Sequence, residues 1–138
     1  MHAKYMRAHE LSKRVIGAAI EVHRLKGPGL LERIYEKCLM RELNLNDIPA
    51  RNQVVVPVEY KGFTFDQPIQ LDVYVDECLI VEIKAVERVL PIHKAQLMSY
   101  MKLLDTPLGL LMNFHETTLT KGISRLILPG SDLEECDF

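Results

Sequence analysis

Two apolar strands separated by only three residues constrain this 138-residue chain more than any other feature. Segments 71–75 and 79–83 flank Asp76-Glu77-Cys78, a connection too short for anything but an antiparallel hairpin. With Val75 facing Leu79, Tyr74 falls opposite Ile80, Asp72 opposite Glu82 and Gln70 opposite Lys84. Side chains alternate along a strand, so one face carries Gln70, Asp72, Glu82 and Lys84 and the other Leu71, Val73, Val81 and Ile83. The second face reads as core and the first as chemistry. Directly opposed residues have Cβ atoms ~4.5–5.5 Å apart, and two carboxylates at that separation repel. A hard divalent cation between Asp72 and Glu82 turns that repulsion into coordination, since Mg²⁺ takes one or two carboxylates and keeps several waters. Lys84, ~6.6 Å along the strand from Glu82, can orient a nucleophilic water or stabilise phosphoryl charge. The same residues also suit a plain solvated sheet face with Lys84 screening the acids, so the hairpin alone leaves both readings open.

The chain is 48% hydrophobic and 26% charged, which suits one compact domain over residues 1–138, with a core of about 9–128 and an acidic C-terminal tail of about 129–138. Cys38, Cys78 and Cys136 are odd in number and far apart, a spacing that fits neither a zinc site nor a disulfide framework. A net charge of −2 excludes the broad basic field that dominates non-specific nucleic-acid binding, so any contact with nucleic acid has to be local. No segment approaches the ~20 apolar residues needed to cross a bilayer, and the basic start MHAKYMRAHELSKR has no apolar run behind it. A cytoplasmic protein with no membrane association is expected.

Leu11, Val15, Ala18, Val22 and Leu25 recur at helical spacing over 10–25 and predict an amphipathic helix. After Gly27-Pro28-Gly29 a second helix follows, with Leu31, Ile34, Tyr35, Cys38, Leu39 and Glu42 along one side. QVVVPVEY and FTF, joined through Lys61-Gly62, predict a hairpin, with Pro57 arguing for an edge strand. The carboxylate hairpin comes next, then a helix over 92–104, then LGLLMNF and ISRLILP as short buried strands. The order α-α-β-β-β-β-α-β-β predicts an α/β fold, a mixed sheet flanked by helices.

Asp72, nine intervening residues and then Glu82-Ile83-Lys84 resemble the signature of the PD-(D/E)XK nuclease superfamily, with Leu71 where the superfamily's name has proline. Gly29, Glu32 and Tyr35 stand at the spacing of the GxxExxY proteins, a branch of that superfamily, and Gln96 and Tyr100 are similar to its Gln-x-x-x-Tyr element. Short patterns of common residues arise by chance, but three in this order are far more specific than any one. The resemblance implies a restriction-endonuclease-like sheet and an Mg²⁺- or Mn²⁺-dependent nuclease acting on nucleic acid, with DNA the expected substrate. It implies Glu32, Asp72, Glu82 and Lys84 as catalytic residues, with Asp72, Glu82 and the backbone carbonyl of Ile83 as metal ligands. Gln96, Tyr100 and His93 would line the same cleft. Gly29 and Tyr35 are read as turn and core. The alternative is a non-catalytic nucleic-acid-binding or protein-interaction module on the same fold, and a homo-oligomer or an unidentified protein partner remains open.

Overall fold

Val73, Tyr74 and Val75 of β4 (Ile69–Val75) pair with Val81, Ile80 and Leu79 of β5 (Leu79–Lys84), the register expected from the short turn. Asp76 and Glu77 both take left-handed backbone (φ 47° and 55°), and the Cys78 N–H closes the turn on the Val75 carbonyl at 3.0 Å. In this computed structural model the hairpin is part of a five-stranded sheet ordered β1-β4-β5-β6-β7, with β1 Ala50–Val56, β6 Leu108–Asn113 and β7 Ile123–Ile127. Only β5 and β6 run parallel; the other neighbours are antiparallel, so the sheet is mixed. A parallel pair needs a long crossover, and here it is α3 (Pro91–Leu104).

Helices α1 (His2–Lys26) and α2 (Glu32–Leu45) cover one face of the sheet and α3 the other. Val73, Val75, Val81, Ile83, Leu110 and Met112 belong to the α1/α2 core; Leu71, Tyr74, Ile80 and Leu111 pack with Leu97 and Met101 of α3. Both faces are therefore largely apolar, which corrects the division into one core face and one chemical face. A central sheet covered by helices on both sides must bury residues on both.

The expected element order holds, with two adjustments. QVVVPVEY divides at Pro57, β1 ending at Val56 as an edge strand of the main sheet, while β2 (Glu59–Tyr60) and β3 (Phe63–Thr64) form a separate small hairpin. Proline cannot donate to a ladder, so it punctuates the apolar run. Helix α1 begins at His2 rather than near residue 10, because Ala8 extends the buried stripe of Leu11, Val15 and Val22 one turn back. On α2 the buried stripe is Tyr35, Leu39 and Leu43, whereas Leu31 and Ile34 of the expected side are exposed.

Residues 2–133 are described; 134–138, with Cys136 and much of the expected acidic tail, lie outside the described residues. Among the described residues no helix is long and apolar enough to cross a membrane. Cys38 and Cys78 are free thiols.

Candidate active site

The hairpin opens where its carboxylates begin. The β4–β5 ladder ends at Val73–Val81, yet β4 continues to Ile69 against β1 and β5 continues to Lys84 against β6, so the strands diverge between Asp72 and Glu82. Neither Asp72 and Glu82 nor Gln70 and Lys84 are consequently ladder partners, which corrects that part of the expected register. Side chains take over the bonds the ladder gives up. The Asp72 N–H donates to Glu82 Oε1 at 3.3 Å, and the Ile83 N–H donates to Asp72 Oδ2 at 2.8 Å. N–H and C=O of a strand residue point to the same side, so the Ile83 carbonyl also faces this gap. That of Lys84 faces β6, where it accepts from the Phe114 N–H at 2.8 Å.

The phase of β4 changes at the same place. Ile69 and Leu71 pack on the α3 side but Val73 and Val75 on the α1/α2 side, although all four are odd-numbered. Strict alternation would have put them on one face. The shift sends Gln70 and Asp72 into a cleft beneath α2, of about 500 Å³, while Glu82, two residues after Ile80, lies toward α3. Asp72 and Glu82 thus come from different sides of the sheet and meet in the gap, which corrects the expectation that both stand on one face with Gln70 and Lys84. Glu82 is only 5% exposed, and burial, followed by the Asp72 charge and a carboxyl–carboxyl hydrogen bond, pushes its pKa up to about 9. Glu82 therefore keeps its proton at neutral pH, because ionising it would bury a second charge beside Asp72. Lys84 acts on Glu82 in the opposite sense but is outweighed.

Glu32 reaches the site from the first turn of α2: its Oε1 accepts from the N–H of Ala85, directly after Lys84, at 3.2 Å, and its side chain lines the cleft with Asp72 and Ile83. The preceding loop is built to aim it. Gly29 has φ 102°, which a residue with a Cβ rarely adopts. Tyr35, fully buried, donates its hydroxyl to the Gly27 carbonyl at 2.6 Å and accepts from the Leu30 N–H at 3.0 Å. Its ring stacks on Phe114 (centroids 4.6 Å apart), the residue whose backbone holds the end of β5. Gly29 and Tyr35 therefore serve as turn and core, and their spacing to Glu32 has a mechanical reason.

From α3, Tyr100 faces the carboxylates: burial raises its pKa, and the charges of Glu82 and Asp72 raise it further. Gln96 is exposed one turn earlier. His93 accepts a hydrogen bond from the Leu90 N–H on Nδ1 (3.0 Å) and closes the first turn of α3. None of these three, nor Glu82 or Lys84, is among the lining residues of the α2 cleft.

That cleft contains groups the sequence reading did not single out as site residues. Arg33 and Lys37 line it from α2 at i, i+4 spacing, and Glu36, Asn52, Gln53 and Gln70 line it as well. The alternation of base and acid over Glu32-Arg33 and Glu36-Lys37 was the available signal. Among the described residues no three His, Cys, Asp or Glu side chains lie close enough together to hold a metal ion. The donors around the gap are nevertheless all hard oxygens, two carboxyls and the Ile83 carbonyl, a set that suits Mg²⁺ or Mn²⁺ with water completing the shell.

No curated protein and no solved structure matches the chain. A family model does, over residues 9–126, and its description is the PD-(D/E)XK nuclease superfamily. The five-stranded mixed sheet flanked by helices accords with the restriction-endonuclease-like fold. With 118 of 138 residues inside the match, from α1 through β7, the chain belongs to the PD-(D/E)XK nuclease superfamily.

Proposed function

We propose that this protein is a divalent-metal-dependent nuclease of the GxxExxY branch, hydrolysing phosphodiester bonds of nucleic acid, with DNA as the preferred substrate. The observation that carries the reading is the parting of β4 and β5 between Asp72 and Glu82, which brings two carboxyls and the Ile83 carbonyl together beside a cleft. Residues 1–138 act as one nuclease-like domain with a core of about 9–128, in the cytoplasm, where free thiols such as Cys38 and Cys78 persist.

Asp72, Glu82 and the Ile83 carbonyl would hold Mg²⁺ or Mn²⁺. When bound, the cation supplies Lewis-acid stabilisation of the charge that develops on the phosphoryl group. Glu82 would hold the cation as a carboxylate, its proton passing to solvent. Lys84, two residues further on the same strand, orients the attacking water and offsets charge on the phosphate. Glu32, anchored by the Ala85 N–H, accepts a hydrogen bond from that water. Tyr100, with Gln96 and His93 on the same helix, bounds the site from the α3 side, and Arg33 and Lys37 are local phosphate contacts in a chain without a basic field.

The test is a metal-dependent cleavage screen over single-stranded, duplex and branched DNA and RNA, with Lys84→Ala as the control for contaminating nuclease. Cleavage by the wild type alone supports the reading. A second reading, a binding or interaction module without turnover, draws on the absence of a three-carboxylate cluster among the described residues. Retention of substrate with no cleavage on any form would favour it.

A further inference from the structure

Glu36 lies one helical turn beyond Glu32 on α2 and is 6% exposed, a depth at which a carboxylate needs partners. Its partners are two consecutive amide side chains of β1: Gln53 Nε2 donates to Oε1 at 2.6 Å and Asn52 Nδ2 to Oε2 at 3.2 Å. An ionised carboxylate only accepts, so both NH₂ groups must turn toward it. Gln53 has φ 50°, in the middle of a strand. Left-handed backbone is uncommon for a residue with a long side chain, and it persists only where the surroundings hold it.

Its position in the ladder is informative. Asn52 pairs with Val73 and Val54 with Leu71, at one constant offset, and the position skipped between them is Gln53 opposite Asp72. The skipped pair is also where the phase of both strands changes. Val54 and Val56 pack with Ile69 and Leu71 on the α3 side, while Ala50 packs with Val73 and Val75 on the other. Without that shift Asp72 would keep the phase of Tyr74 and face α3; with it, Asp72 enters the cleft and reaches the Ile83 N–H.

We infer that Glu36 is a positioning residue for Asp72: its grip on Asn52 and Gln53 holds the left-handed kink in β1 that turns the opposing Asp72 into the cleft. The inference rests on Asp72 being a site residue, but the geometry it describes exists without metal or substrate. Among the described residues, the hydrogen bonds of the Glu36 carboxylate go to Asn52 and Gln53 and none to Asp72; it acts through β1.

The experiment follows amide hydrogen exchange in the metal-free protein at Ile83, whose N–H reports where Asp72 is, and at Val81, inside the intact ladder. Glu36→Ala should speed exchange at Ile83 about tenfold or more relative to Val81, the weight of one charge-assisted hydrogen bond, and weaken Mn²⁺ binding in parallel. Glu36→Gln keeps one acceptor and should give a smaller change in the same direction; it carries the test should the alanine variant not fold. The decisive arm is rescue. Gln53→Gly accepts positive φ without a Cβ penalty, so Glu36→Ala/Gln53→Gly should recover much of the Ile83 protection and the Mn²⁺ affinity. Equal loss at Ile83 and Val81, or no recovery in the double variant, would reduce Glu36 to a general anchor of α2 and overturn the inference. Failure of the nuclease reading looks different: no Mn²⁺ binding in the wild type, with the exchange pattern at Ile83 unaffected by that failure.

Discussion

Replacing Glu82 by glutamine in metal-free protein should make stability less dependent on pH, and the size of the effect follows from the buried carboxyl pair. The folded-state pKa of Glu82, about 9, lies above the ordinary 4.5, so the folded state binds its proton more tightly than the unfolded state does. The contribution is fully present below pH 4.5 and is lost as pH rises toward 9, at ~1.4 kcal/mol per pH unit. Between pH 6 and pH 8.5 the wild type should therefore lose ~3 kcal/mol from this one group, a large share of the ~5–15 kcal/mol that stabilises a typical domain. Glutamine has the shape of the protonated acid and does not titrate, so Glu82→Gln should lack this slope and outlast the wild type at pH 8.5. Urea unfolding of both proteins in EDTA at several pH values measures the difference directly. Added Mg²⁺ should stabilise only the wild type, and more strongly at higher pH, because the proton on Glu82 competes with the cation. Parallel stability curves for the two proteins from pH 6 to 8.5 would refute the argument, since they would mean that Glu82 is ionised in the fold or solvated there.

Lys84→Ala should abolish cleavage at unchanged Mn²⁺ affinity, whereas Glu82→Gln should lose both, as calorimetry alongside a cleavage assay will show; equal cleavage by wild type and Lys84→Ala at matched metal occupancy would remove Lys84 from the mechanism. Tyr35→Phe retains the stack on Phe114 but loses the hydroxyl bonds to Gly27 and Leu30, so it should cost ~1–3 kcal/mol in urea unfolding. No change would mean that the glycines alone hold the loop. Gly109→Ala puts a Cβ 2.7 Å from Met101 Sδ and 3.0 Å from a Leu97 methyl, so it should destabilise by ~1–3 kcal/mol as α3 shifts off the sheet. A melting temperature equal to that of the wild type would show that those two side chains repack freely.

Local rules were enough for much of this molecule. The three-residue turn imposes the Val75–Leu79 register, apolar periodicity marks the three helices, and the order of elements follows from where those patterns change. Asp72, Glu82 and Lys84 were visible as charges in otherwise apolar strands, and Glu32 through its spacing to Gly29 and Tyr35. Each of these signals lives within about ten residues of chain, the range over which turn geometry and side-chain alternation act. What the sequence could not reveal is where a ladder stops. That β4 leaves β5 at Asp72 depends on β1 and β6 pulling the two strands apart, a competition among partners distant in the chain. The change of phase opposite Gln53 is equally non-local, since it needs a carboxylate from α2 against two amides of β1. The proton on Glu82 follows from both: only after the strands part and α3 covers the gap does a carboxyl that would be charged on an open sheet face find itself buried against another.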